Sequence, residues 1–271
     1  GPAGSTAASM AAKSGLTVKI CERSKFPREH VGESLLPASI AILEELGLKE
    51  AISNAGFLPK YGATMVWGKD ETPWSWRFSE TNKQNIHSYQ VSRPIFDEIL
   101  LKRSAELGVL VEEESSVGKI MIDDSNRGAV VINKNGQQYF QPAKFIVDAS
   151  GQSALLARNL NLRQWDENFQ NLAVYGYFTG AKKLPIPDEN NIFIESFENG
   201  WVWTIPLNGD ITSVGAVVDS NKSAAELRKV DSRTFLEDQL SLTNRTCDML
   251  SQAKLQSDAK ILKDWSYTTS K

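Results

Sequence analysis

The sequence predicts an α/β (α+β) chain in which alternating helices and strands give way to an antiparallel sheet. Three observations carry that expectation. The chain opens Gly1-Pro2-Ala3-Gly4-Ser5, continues through an Ala-rich stretch over residues 6–13, and then turns apolar at residues 16–20. That is the pattern of a helix packed closely on a strand. Residues 145–151, Phe-Ile-Val-Asp-Ala-Ser-Gly, read as a parallel strand buried on both faces. From Leu172 onward, residues 192–197, 201–205 and 211–218 alternate as strands, separated by the hairpin signals Glu198-Asn199-Gly200 and Asn208-Gly209-Asp210.

Taken in order, the small residues Gly1 to Ser5 leave helix N–H groups open to an anion such as a pyrophosphate. Glu22 ends the following strand, with Arg23 beside it, where dinucleotide folds place a ribose-binding acid. Residues 26–37 hold two prolines around Gly32-Glu33-Ser34, and a helix is expected over 38–46 before Gly47. Residues 61–78 read as strands, with Lys60 at their mouth. Residues 94–107 read as an amphipathic helix opened by Arg93. Residues 109–148 read as strands in a meander with a hairpin signal at Asn133-Lys134-Asn135-Gly136, and 153–160 as a short helix. Residues 224–242 read as one charged amphipathic helix, and 259–266 as a further strand.

Composition narrows the function. A length of 271 residues with 41% hydrophobic content supports one large domain or two interlocked ones. A net charge of −3 argues against nucleic acid as a partner. No run approaches the roughly 18 apolar residues of a membrane span, so no membrane partner is expected and a cytoplasmic enzyme is. Cys21 and Cys247 are expected to be reduced. With only His30 and His87, the sequence argues against a His-rich metal centre and against a Ser-His-Asp hydrolase. No metal ligands are assigned.

The string Trp201-Val202-Trp203-Thr204-Ile205-Pro206 stands out. Tryptophans two apart on a strand point to one face, and the proline donates nothing to a ladder. The pair reads either as core packing or as a rigid wall beside a cavity.

Together with the N-terminal segment Gly1-Pro2-Ala3-Gly4-Ser5 described above, four segments resemble the flavin-dependent halogenase family. They are Trp201-x-Trp203-x-Ile205-Pro206, Lys60-x-Gly62-Ala63, Asp148-Ala149-Ser150-Gly151, and Phe26-Pro27-Arg28-x-His30-x-Gly32-Glu33-Ser34-Leu35-Leu36-Pro37. The last is the most specific; Asp-Ala-Ser-Gly strings occur widely among flavoproteins of this superfamily. The spellings are nearer the phenol- or pyrrole-type branch than the free-tryptophan branch.

The resemblance implies a glutathione-reductase-like FAD-binding fold with an antiparallel β-sheet substrate domain, truncated at both ends. Residues 1–60 and 85–160 would form the FAD-binding domain without its N-terminal strand. Residues 61–84 and 161–271 would form the substrate domain without a C-terminal FAD-contacting segment. It implies that FADH2, O2 and chloride or bromide generate hypohalous acid, and that catalytic Lys60 directs the halogen onto an electron-rich ring; Lys69 is the weaker candidate. Trp201, Trp203, Ile205 and Pro206 would keep substrate from flavin. Gly1, Pro2, Ala3, Gly4, Ser5, Glu22, Arg23, Gly32, Glu33, Ser34, Arg93, Asp148 and Gly151 would bind the cofactor. Implied partners are a separate flavin reductase and a peptidyl or acyl carrier protein bearing the substrate. A flavin aromatic hydroxylase or reductase of the same fold, and a flavin-binding chain without catalysis, stay open as alternatives.

Overall fold

Pro2, whose missing N–H is no loss in a first turn, opens helix α1 (Pro2–Lys13) in the computed structural model, which describes residues 1–122, 128–166, 169–263 and 266–270. Strand β1 (Lys19–Cys21) follows, then α2 (Ala38–Glu45) and α3 (Lys49–Asn54). Next come β2 (Leu58–Lys60), β3 (Gly62–Val66), β4 (Trp74–Arg77), the short α4 (Phe78–Thr81) and β5 (Ser88–Gln90). Helix α5 (Arg93–Glu106) leads to β6 (Leu110–Glu112), which pairs in parallel with β1. Helices α1 and α5 meet through the hydroxyls of Ser9 and Ser104 at 3.0 Å. An apolar cluster of Leu43, Leu46, Ile52, Phe57, Phe96 and Leu100 joins α5 to α2 and α3.

Strands β7 (Ser115–Ile122), β8 (Gly128–Lys134) and β9 (Gln137–Ala143) form an antiparallel meander. Its tight turn sits at Asn135 and Gly136, both with positive φ, as the Asn-Gly signal requires. A 3₁₀ turn at Gly151–Ser153 precedes α6 (Leu155–Asn159) and β10 (Arg163–Trp165).

The remaining strands build the main sheet. They are β11 (Asn171–Thr179), β12 (Ile192–Phe197), β13 (Gly200–Pro206) and β14 (Ile211–Asp219). Helices α7 (Ser220–Ser223), α8 (Ser232–Ser241) and α9 (Asn244–Met249) follow, then β15 (Lys254–Leu255), β16 (Lys260–Lys263) and β17 (Tyr267–Thr269). The eight-stranded order is β15-β11-β14-β13-β12-β3-β4, with β16 also on β11. Strand β3 joins β12 in parallel, whereas β12, β13 and β14 are linked as hairpins. Alternation gives the sheet two different faces. Val202, Val174, Val214 and Ala216 pack beneath Phe235 and Leu236 of α8. Trp203, Ile205, Ala173 and Tyr175 form a separate cluster on the opposite face, with Val31 and Trp201 against it.

Two sequence expectations fail. Residues 145–147 form no buried strand: Phe145 is 84% exposed and Val147 63%. An apolar run becomes a strand only where a neighbour leaves its N–H and C=O groups open to it, and β1 with β6 takes up no third strand among the described residues. Residues 224–242 are not one helix either. Asp231 adopts extended backbone and its carboxylate accepts the Thr234 N–H at 2.9 Å, so it caps a new helix, α8. Of the expected strand at 259–266, β16 covers Lys260–Lys263, and Asp264 and Trp265 lie outside the described residues.

Candidate active site

The turn Gly32-Glu33-Ser34 lies alongside β5. The Val91 N–H donates to the Glu33 carbonyl, and the Leu35 N–H to that of Tyr89. On the other edge of β5 lies β2, in the register Leu58↔Gln90 and Lys60↔Ser88. Ser34, bridged to Gln90, and Lys60 therefore reach one another across a single strand.

Lys60 is 2% exposed. Its Nζ donates to Ser34 Oγ at 2.6 Å and lies 5.3 Å from the Phe78 ring centroid. Burial pulls its pKa down to about 8, because the charged form loses solvation and no carboxylate among the described residues replaces it. Such an amine changes protonation state near neutral pH. Opposite it, Ser88 is fully buried and its hydroxyl has no partner among the described residues. Gly62 holds β3 against β4: a Cβ there would stand 2.1 Å from the Trp76 carbonyl oxygen.

Glu33 points the other way, toward the aromatic face of the main sheet. It is 1% exposed, accepts from the Tyr177 hydroxyl at 3.0 Å, and accepts from the Gly32 N–H at 3.0 Å. Burial pushes its carboxyl up, and the hydroxyls of Tyr177 and Ser213 draw it back toward the charged form. Ser213 also accepts the Trp203 indole N–H at 3.2 Å. The Trp201 and Trp203 rings lie side by side with centroids 6.0 Å apart, as the two-residue spacing predicts. Ile205 belongs to the same cluster. Pro206 is buried at the strand end, opposite Thr212.

A third group surrounds the start of α1. Gly4 leaves room for Ala149, whose Cβ would lie 3.2 Å from a Cβ at position 4, so the Asp148-Ala149-Ser150 segment passes beside the helix. The Ser5 hydroxyl is buried there without a partner among the described residues. Next to it, a cavity of about 170 Å³ is bordered by Pro2, Thr6, Gly32, Leu35 and Arg93. Glu22 Oε2 lies 3.2 Å from the Gly1 nitrogen.

Over residues 1–87 and 80–246 the sequence matches the profile described as tryptophan halogenase. The chain belongs to that family.

Three halogenase relatives illustrate the match. A tryptophan 2-halogenase of Chondromyces crocatus is 36% identical over 221 residues, 80% of this chain and 42% of that protein. The flavin-dependent halogenase armH3 of Armillaria mellea is 37% identical over 82% of this chain and 46% of its own length. A pyrrole-2-carbonyl peptidyl-carrier-protein chlorinase of Pseudomonas fluorescens is 36% identical over 80% of this chain and 54% of its own. Among solved structures, the flavin-dependent halogenase CmlS superposes with a TM-score of 0.94 at 36% identity, covering 99% of this chain and 49% of that one. The chondrochloren halogenase CndH gives 0.92 at 37%, over 99% and 63%. The chain thus spans about half the length of the curated halogenases it matches.

Set against this halogenase fold, the residues singled out by sequence fall into distinct places. Gly1, Pro2, Ala3, Gly4 and Ser5 are together at the head of α1. Gly32 and Arg93 border the neighbouring cavity. The donors of Arg93 are taken by protein: Nε and Nη2 by Asp97, and Nη1 by the carbonyls of Val31 and Gly32. Glu33 and Ser34 face Tyr177 and Lys60 instead of that cavity. The Asp148 carboxylate accepts the N–H groups of Ser150 and Leu156, closing the turn into α6 after Gly151. Arg23 and Lys69 are exposed.

Arg28, Asp97, Tyr177 and Ser213 were not among the site residues read from the sequence, although Arg28 stands within the motif of residues 26–37. Asp97 is fully buried between Arg28, at 3.1 Å, and Arg93. Only the four-residue spacing of Arg93 and Asp97 on one helix signalled it. Nothing local marks Tyr177, whose partner is 144 positions away.

Proposed function

We propose that this protein is an FADH2-dependent halogenase that places chloride or bromide on an electron-rich aromatic ring, a phenol or pyrrole, free or carried on a carrier protein. Lys60 supports the reading most directly: a buried amine, free of any carboxylate among the described residues, at the end of β2 and just ahead of β3, which joins the tryptophan-bearing sheet through β12. Family membership and the pyrrole chlorinase among the relatives support the reaction and substrate class. We further propose an FAD-binding domain of residues 1–60 and 85–160 and a substrate domain of 61–84 and 161–271; the pairing of β3 with β12, and of β4 with β3, supports that division. A cytoplasmic location with a separate flavin reductase completes the reading. No helix among the described residues is long and apolar enough to cross a membrane.

The residues present fit a nucleotide cofactor. The open N–H groups of α1, the orphaned Ser5 hydroxyl and the glycine at position 1, whose Cβ would press to 3.0 Å on the Arg28 guanidinium, suit a pyrophosphate. With O2 and halide, the bound reduced flavin supplies hypohalous acid. Lys60 then donates a proton from Nζ to the oxygen of that acid. The ring carbon attacks the halogen, the O–X bond breaks, oxygen leaves as water, and the ring gives up its proton to the now neutral Lys60 amine, which restores aromaticity and the ammonium together. Trp201 and Trp203 exclude the ring from the flavin, so that halogen and not oxygen reaches it.

The test is a product assay on the intact protein with FADH2 from a flavin reductase, using free and carrier-bound phenols and pyrroles, with chloride, with bromide and with neither. Halide-dependent halogenation is expected in wild type and is lost in Lys60→Met, which keeps much of the stem packing. Ring hydroxylation that ignores halide would overturn the proposal in favour of an aromatic hydroxylase.

A further inference from the structure

We propose that Ser34 is a positioning residue for Lys60, holding its ε-nitrogen in one place whether that nitrogen is protonated or free. The inference rests on the catalytic reading of Lys60. It departs from the expectation that Ser34 serves the cofactor.

The geometry carries it. Ser34 Oγ is 2.6 Å from Nζ, and the hydroxyl is delivered there by a turn pinned to β5 on both sides, by the Val91 and Leu35 N–H groups. On the far side of β5, β2 fixes Lys60 in register. A backbone strand thus sets the spacing of the two side chains. The Phe78 ring, its centroid 5.3 Å from Nζ, bounds it on another side.

The choice of a hydroxyl has a chemical reason. A hydroxyl oxygen accepts from an ammonium, and by turning its O–H it donates to the lone pair of an amine. A carboxylate at this position would favour the charged form alone. An aliphatic side chain would leave a buried donor without a partner. Of these three, the hydroxyl keeps Nζ at one point while a proton is given up and regained. The direction from which halogen reaches the ring then stays constant through the cycle.

The experiment uses the intact protein with Ser34→Ala, Ser34→Thr and Ser34→Asp. Two readouts are followed: the pH dependence of Lys60 acetylation, by competitive labelling and mass spectrometry, and the isomer ratio of halogenated product with kcat and KM. Ser34→Asp is expected to shift Lys60 acetylation to higher pH. Ser34→Ala is expected to lower kcat by roughly 10²-fold, the scale of a misplaced catalytic group, with little change in KM and a broadened isomer ratio. Ser34→Thr is expected to recover most of that loss. An unchanged acetylation profile in Ser34→Asp, or a wild-type isomer ratio and kcat in Ser34→Ala, would overturn the proposal. So would loss of FAD affinity in step with kcat, which would make Ser34 a cofactor residue. Lys60→Met separates the two readings. If it still halogenates, the catalytic role of Lys60 falls while the acetylation profiles still decide the contact.

Discussion

The Tyr177 hydroxyl donates to the buried carboxylate of Glu33 at 3.0 Å, joining the turn that holds Lys60 to the sheet that carries the tryptophans. One tripeptide therefore grips both halves of the candidate site: Glu33 holds the sheet and Ser34 the lysine.

Glu33→Ala leaves the half-buried Tyr177 hydroxyl without its acceptor, while the N–H of exposed Gly32 can turn to water. A loss of about 1–3 kcal/mol per unsatisfied group is expected, and Glu33→Gln should lose less. Urea unfolding of the three proteins measures this. Equal midpoints for wild type and Glu33→Ala would show that the tie carries no stability.

Lys60 should make stability rise with pH. Its folded pKa of about 8 lies below the unfolded 10.5. Between those values the unfolded chain binds the proton that the folded chain has released, so alkali favours folding there. The cost of burying the charge, on the order of 3 kcal/mol, is full below about pH 8 and gone above about pH 10.5. The stability advantage of Lys60→Met over wild type should therefore shrink across that window. An advantage that is flat with pH would mean that Lys60 keeps an ordinary pKa.

Gly215 is the floor beneath Trp203. A Cβ there would stand 2.4 Å from the Trp203 ring and 2.5 Å from the Tyr175 Cβ. Gly215→Ala should push the indole off Ser213 and destabilise the chain by about 1–3 kcal/mol, as overpacking does. Unfolding midpoints and the tryptophan emission spectrum report the two effects; an unchanged spectrum would show that the ring does not move.

For the tryptophan pair, the informative result is chemical. Truncation of either ring to alanine costs about 3–5 kcal/mol when buried, so lost activity alone decides nothing. A folded Trp201→Leu/Trp203→Leu protein should lose halogenated product and leak hydrogen peroxide, with traces of hydroxylated ring. Undiminished halogenation would reduce the pair to ordinary core.

Much of the sheet was legible because its signals are local. Residues 200–206 alternate between turns that need glycine or asparagine, and β13 with its neighbours lies where that pattern puts it. The segment at 145–147 was misread because periodicity reports apolarity and is blind to whether a partner strand exists. The helix at 224–242 was misread because the capping geometry of Asp231 outweighs a continuous charged pattern. Lys60 was legible as a residue, yet its environment was not: Ser34 is 26 positions away, and only folding brings it over.

The parallel register of β3 with β12 also orders the assembly of the molecule. Residues 192–219 can pair through short turns as soon as they exist, whereas β3 must wait for β12, and Ala63 finds its partner only at Ile192. Closing so long a loop is slow, because its entropy is lost before any contact rewards it. The tryptophan pair therefore matures on a hairpin, and the strand following Lys60 docks afterwards. In refolding followed by pulsed hydrogen exchange, β13 and β14 amides should gain protection ahead of those of β3, and simultaneous protection would refute that order. A chain emerging from the ribosome carries Lys60 early but acquires the β12 strand that seats β3 only once residue 197 has been made.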